Sequence, residues 1–249
     1  MRTITLALAS LLILVTACGQ QADAPADAAD ERPVVALIMK SLANEFFVTM
    51  AEGAREHHAE NTSRYDLIVN GIRNETDLAQ QVALIDQMIA AEVDAIVIAP
   101  ADSKAVVPAV ARAIANGIVV VNIDNRFDDD VLADYELDIP FVGPDNFLGA
   151  ETVGKVLAAQ LSSGDPVAIL EGVPTAYNSQ RRTAGFLKAM TDASMTVVDS
   201  QSAQWDQTIA TTVTSGMLVQ HPELVAILAA NDNICLLYTS DAADDDYTV

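Results

Sequence analysis

Short apolar runs alternate along the chain with stretches of helical periodicity, and this rhythm restricts the fold more than any other feature. Residues 34–39, 65–69, 95–99, 118–123, 139–142, 167–170, 195–199 and 224–229 read as strands, most of them rich in Val and Ile. Between them, Phe47, Met50, Ala51 and Ala54 follow the i, i+3, i+4, i+7 pattern, and Leu78, Val82, Ile85 and Ile89 form a second helical stripe. Further helices are predicted over 103–116 and 145–161, through Arg182, Phe186 and Met190, and through Ile209, Val213 and Met217. Strands this apolar need cover on both faces, which parallel sheets with right-handed helical crossovers provide. The expected class is α/β with open, doubly wound parallel sheets. An acidic stretch, 128–138, interrupts the rhythm. It makes Pro144-Asp145 the candidate boundary between an N-terminal lobe, 33–144, and a C-terminal lobe, 145–233.

The two ends of the chain do not share this pattern. Arg2 precedes an uncharged run over 4–15, followed by Thr16-Ala17-Cys18. Twelve helical residues rise roughly 18 Å, short of the ~30 Å hydrocarbon layer, so residues 1–18 read as a secretory signal rather than a membrane span. Val15-Thr16-Ala17-Cys18 resembles a bacterial lipobox, which would make Cys18 a lipidation site; an ordinary signal peptide with an incidental Cys is the alternative. Residues 19–32 hold little that could be buried and read as a flexible linker. Residues 234–249 carry neither period beyond their first few positions and read as a tail, either non-native or disordered and acidic.

Charge and motif content exclude several functions. Against 13 Lys and Arg stand 35 Asp and Glu, a net charge of −22, and no basic stripe is present. Such a chain repels phosphate backbones, so nucleic acid is not an expected partner. Two cysteines, Cys18 and Cys235, cannot build a disulfide framework or a four-Cys zinc site. His57, His58 and His221 form no i, i+4 metal pair, and no G-x-S-x-G, G-x-G-x-x-G or phosphate-binding G-x-x-x-x-G-K-S/T motif occurs. Neither a metal nor a cofactor is expected, and neither is covalent chemistry.

Ligands of open α/β sheets bind beyond the carboxyl ends of the strands. Those points fall at 41–47, 100–103, 124–127, 172–182, 204–206 and Asn231. They carry the rings of Phe46, Phe47 and Trp205 among amides, acids and arginines, a mixture that suits a neutral polyol: rings cover C–H faces while amides, Asp and Arg bond hydroxyls. Each residue also has a plainer reading. Asn44 could cap a helix, Phe47 could be core, Asp124 could end a strand in solvent, Trp205 could staple a helix start, and Arg181 and Arg182 could be surface charge.

With those residues in view, the chain resembles the ribose-binding-protein-like group of bacterial sugar-binding proteins, the type I periplasmic solute receptors of ABC importers. The likeness spans about 33–232. It rests on Ser41-Leu42-Ala43-Asn44-Glu45-Phe46-Phe47, Ala99-Pro100-Ala101-Asp102-Ser103, Asn122-Ile123-Asp124-Asn125, Gly143-Pro144-Asp145-Asn146, Gln180-Arg181-Arg182-Thr183-Ala184-Gly185-Phe186 and Ala230-Asn231-Asp232. The resemblance implies two lobes that close over one monosaccharide, a pentose, hexose or related polyol. Asn44, Phe46, Phe47 and Asp124 would come from the first lobe, Trp205 would stack from the other, and Asn178 and Asn231 would supply amides. Where ribose receptors carry Arg after Asp124, this chain has Asn125 followed by Arg126; where they carry another Arg, it has Gln180 followed by Arg181. Ribose itself is therefore open, and a furanosyl autoinducer or a nucleoside is the alternative ligand.

The same likeness implies export to the periplasm or the outer face of the cytoplasmic membrane, with a lipid anchor as the only membrane attachment. It implies a monomer that docks on an ABC permease or a chemoreceptor. Family members continue for several more βα units, so the second lobe is expected to be incomplete. Unpaired strand edges would then leave the chain poorly stable.

Overall fold

The computed structural model describes residues 32–235. The expected signal segment with Cys18, nearly all of the linker and positions 236–249 of the expected tail lie outside the described residues. The first lobe runs β1 (Val34–Ser41), α1 (Glu45–Glu60), β2 (Asp66–Ile72), α2 (Leu78–Ala90), β3 (Ala95–Ile98), α3 (Val107–Ala115), β4 (Val119–Ile123), α4 (Asp129–Asp134) and β5 (Phe141–Val142). Its five strands pair in the order β2-β1-β3-β4-β5, all parallel. The second lobe runs α5 (Asn146–Ala158), β6 (Pro166–Glu171), α6 (Tyr177–Asp192), β7 (Thr196–Ser202), α7 (Gln207–Gln220), β8 (Ala226–Ala229) and α8 (Asp232–Cys235). Among the described residues its sheet holds three parallel strands, β7-β6-β8. That order repeats the β2-β1-β3 winding of the first lobe, although the two share no visible sequence repeat.

β1 shows why the strands are apolar throughout. Ala36 and Ile38 face α2 and α3 in the larger core, while Leu37 and Met39 face Phe47 and Ala51 of α1 on the opposite side. Alternation with both faces covered leaves no position for a polar residue over Ala36–Met39, and each Ile or Leu buried this way contributes about 1.5–3 kcal/mol. A separate core in the second lobe gathers Val167, Ala168, Ile169 and Leu170 of β6 with Phe186, Met190 and Met217. In that lobe α5 and α6 pack closely because Gly185 sits against the Phe147 carbonyl, where a Cβ would collide.

Short polar side chains start the helices. Asn44, Asp77, Asp145 and Asp206 each accept a hydrogen bond from a first-turn amide of α1, α2, α5 and α7. The acidic stretch read as an interruption contains a helix of its own: Asp128 caps α4, which buries Leu132. Ile234, assigned from sequence to the outlying tail, is buried in the second core, because α8 continues directly from β8. No described helix is long and apolar enough to cross a membrane.

Candidate functional site

In each sheet the winding reverses beside its first strand, β1 or β6, and a cavity of about 380 Å³ lies where the ends of those strands face each other. The first lobe lines it with Lys40, Asn44, Phe46, Phe47, Glu75 and Asp124. The second contributes Asn146, Asn178, Arg182, Phe186, Trp205 and the 229–233 turn.

Its floor is charged yet balanced. Lys40, next to last in β1, has its side chain 1% exposed, its Nζ 3.3 Å from Asp124 Oδ2 and 3.8 Å from Glu75 Oε2. Asn44 Nδ2 donates to Glu75 Oε1 at 2.8 Å. Burial pushes the Glu75 carboxyl above its usual range, and Lys40 and the Asn44 hydrogen bond pull it back. Arg182 donates from Nε to Asn146 Oδ1 at 2.7 Å and from Nη1 to the Ala230 carbonyl at 2.8 Å. Burial lowers its guanidinium pKa, against the opposing pull of Asp124, Glu75 and Asp232. Two cations, Lys40 and Arg182, thus meet two buried carboxylates, Glu75 and Asp124, and these four buried charges sum to zero; the exposed Asp145 and Asp232 line the cavity as well.

Rings bound the cavity on both sides. Phe46 and Phe47 meet edge to face at 5.1 Å; Phe47 is buried, while Phe46 is 53% exposed at the rim. Trp205 faces them from the second lobe, 4% exposed, with the Arg182 guanidinium 5.8 Å above its ring. The indole rests directly on Gly172, where any Cβ would enter the ring. Asp124 and Trp205 both hold positive φ, 59° and 60°. For an aromatic residue in particular that conformation is costly, and it persists here at two positions that line the cavity.

Four buried side-chain atoms among the described residues lack a hydrogen-bond partner, and three of them belong to cavity residues: Asp124 Oδ2, which has only the Lys40 ammonium as an ion-pair partner at 3.3 Å, Asn178 Oδ1 and Trp205 Nε1. Each such group left unpaired costs about 1–3 kcal/mol. The Asn178 acceptor and the Trp205 donor await a partner that can both donate and accept, as a hydroxyl does.

Of the residues expected from sequence, Asn44, Phe46, Phe47, Asp124, Asn178, Trp205 and Asn231 line this one cavity. Several of the plainer readings hold as well. Asn44 caps α1, Phe47 belongs to a core, and Asn231 Oδ1 accepts from the Ile234 amide. Asn125, Arg126, Gln180 and Arg181 do not line the cavity. Asn125 is fully buried and bonded to Pro100 and Asn178; Arg126 pairs with Asp129 at the surface. Gln180 bonds the Pro174 carbonyl, and Arg181 lies 4.8 Å over Phe147. On a helix, adjacent residues point about 100° apart, so Arg182 enters the cavity where Arg181 cannot. Lys40 and Glu75 escaped the sequence reading. For Lys40 the available signal was a charge closing an otherwise apolar strand; Glu75 sits in a polar loop and gave none.

Two parallel α/β lobes with rings, acids and cations converging on one enclosed cleft define the type I periplasmic binding protein fold. The family model for the periplasmic binding protein domain matches residues 35–243, and the chain belongs to that family. The D-ribose/D-allose-binding protein of Pseudomonas aeruginosa is 51% identical over 226 residues, covering 90% of this chain and 71% of its own length. A solute-binding protein of an ABC transporter from Burkholderia multivorans, crystallised with an unknown ligand built as α-D-erythrofuranose, is 53% identical with a TM-score of 0.83. That match covers 86% of this chain and 75% of the other. A periplasmic solute-binding protein from Actinobacillus succinogenes with bound D-allose is 37% identical, TM-score 0.77, with coverage of 86% and 74%.

Proposed function

We propose that this chain is an exported receptor that binds one neutral monosaccharide between its lobes and delivers it to an ABC importer. The observation that carries this reading is the unpaired Asn178 Oδ1 and Trp205 Nε1 lining, beside the ion-paired Asp124, a ring-bounded cavity whose buried charges balance. Hydroxyls of a sugar would satisfy them while its C–H faces lie against Phe46 and Trp205. A phosphorylated or carboxylated ligand would add charge to a floor that already sums to zero, and Glu75 and Asp124 would oppose it. The P. aeruginosa relative is named for D-ribose and D-allose and the A. succinogenes structure holds D-allose, which supports an aldopentose or aldohexose here.

Asn44, Phe46, Phe47, Asp124, Asn178, Trp205 and Asn231 act as ligand contacts in this reading, joined by Lys40 and Arg182. The work done is binding without bond making or breaking: ligand that touches both lobes favours the closed form, and that form docks on a permease or a chemoreceptor as a monomer. Cys18 carries the lipid that holds the receptor at the membrane surface.

Titration calorimetry of the full chain tests this against D-ribose, D-allose, other pentoses and hexoses, and nucleosides. Saturable one-to-one binding of a neutral sugar is expected, with thermal stabilisation of about 2.7 kcal/mol at a hundredfold excess over Kd. Binding of nucleosides alone, or of no sugar in the panel, would overturn it. In cell fractions the chain should sediment with membranes, and Cys18→Ala should release it; an unchanged distribution removes the anchor.

A further inference from the structure

The first turn of α6 lacks an acceptor of its own. Its N-cap is Ala176, whereas Asn44, Asp77, Asp128, Asp145 and Asp206 serve their own helices. The acceptors come instead from the other lobe. Tyr177 N–H donates to Ser103 Oγ at 2.8 Å, and Asn178 N–H donates to Asn125 Oδ1 at 3.1 Å. Ser103 Oγ lies 3.4 Å from the same Asn125 oxygen, and Asn125 Nδ2 donates to the Pro100 carbonyl at 2.9 Å. All three side chains, Ser103, Asn125 and Asn178, are buried. Among the described residues these two are the hydrogen bonds that reach from the first lobe to α6.

We propose that Ser103 and Asn125 are positioning residues that form a helix cap between the lobes and so set ligand affinity without touching the ligand. The proposal rests on the sugar-receptor reading for its binding arm alone. In the closed form the cap satisfies two α6 amides and fixes the backbone of Asn178, whose unpaired Oδ1 faces the cavity. Separating the lobes exchanges those bonds for water. The cap therefore favours closure by the same factor whatever the ligand, and apparent affinity scales with the closed-competent fraction.

The test compares wild type, Ser103→Ala, Asn125→Ala and Asn125→Asp. Calorimetry with D-allose and D-ribose should show Kd raised about fivefold for each Ala variant, by an equal factor for both sugars. Asn125→Asp keeps the acceptor for the Asn178 amide but loses the donor to the Pro100 carbonyl, so it should restore protection of that amide and only part of the affinity. Hydrogen exchange without ligand should show the Asn178 amide deprotected in Asn125→Ala, and the Tyr177 amide in Ser103→Ala, with the rest of α6 unchanged. Factors that differ between sugars would make Asn125 a ligand contact and overturn the proposal. So would an unchanged Kd accompanied only by a lower melting temperature. A wild type that binds neither sugar refutes the receptor reading, and the exchange arm still decides the cap: unaltered amide protection in the Ala variants overturns it.

Discussion

Replacing Lys40 with Met probes the charge balance of the cleft with little change in side-chain volume. Lys40 Nζ lies 3.3 Å from Asp124 Oδ2 and 3.8 Å from Glu75 Oε2. At an effective dielectric of about 20 these pairs are worth about 5 and 4 kcal/mol of attraction before desolvation. Lys40→Met leaves two buried carboxylates facing each other, a situation that costs about 3–5 kcal/mol. The folded state has one escape, protonation of Glu75, whose carboxyl burial already pushes above its usual range. Above the ordinary carboxyl range, holding that proton costs about 1.36 kcal/mol more per pH unit, so about 2.7 kcal/mol more at pH 7 than at pH 5. The expected loss is thus about 3–5 kcal/mol at pH 7, shrinking by about 2.7 kcal/mol at pH 5. The sign follows from linkage. A folded state that binds the extra proton gains stability as pH falls toward the unfolded pKa and loses it as pH rises. Urea unfolding of wild type and variant at both pH values measures the difference. A deficit that stays constant between pH 7 and 5, or grows at pH 5, refutes the reasoning.

Two other substitutions follow from the same geometry. The chain has a single Trp, and it lines the cavity, so its fluorescence reports ligand directly. Gly172→Ala drives a methyl group into the Trp205 ring; stability should fall by about 1–3 kcal/mol, Kd for D-allose should rise at least tenfold, and emission should shift red as the indole leaves its seat. An unchanged Kd would show that the ring has no part in binding. Arg126→Ala removes only a surface pair with Asp129, so Kd should stay within about twofold by calorimetry. A larger loss would return Arg126 to the site.

Much of the architecture was legible because it rests on local repetition. Ala36, Leu37, Ile38 and Met39 announce a strand covered on both faces, and the stripe of Phe47, Met50, Ala51 and Ala54 announces the helix that covers one of them. α4 was missed because six residues hold too few apolar positions to show a period, and its Asp128 cap lay within a run of acids. In the site, Asn44, Asp124 and Trp205 could be found from their positions at strand ends. The stripe of Arg182, Phe186 and Met190 was legible from spacing, but which face of α6 turns toward the cleft was not; the packing of Phe186 and Met190 into the second core fixes it.

The alternation of buried strands and amphipathic helices follows from chain chemistry alone, since hydrophobic burial acts on each segment according to its own period. It prescribes parallel α/β lobes and puts the polar ends of the strands on one side. What needed the folded chain was the pairing of residues far apart in sequence. Lys40 stands opposite Glu75 and Asp124, and Ser103 and Asn125 reach a helix that begins at Tyr177. Such pairs depend on distances of a few ångströms and on which way a backbone turns, as at Asp124 and Trp205 with their positive φ. No periodicity along the chain encodes those distances; strand pairing within the first lobe supplies those around Lys40, and the docking of the two lobes supplies those from Ser103 and Asn125 to α6.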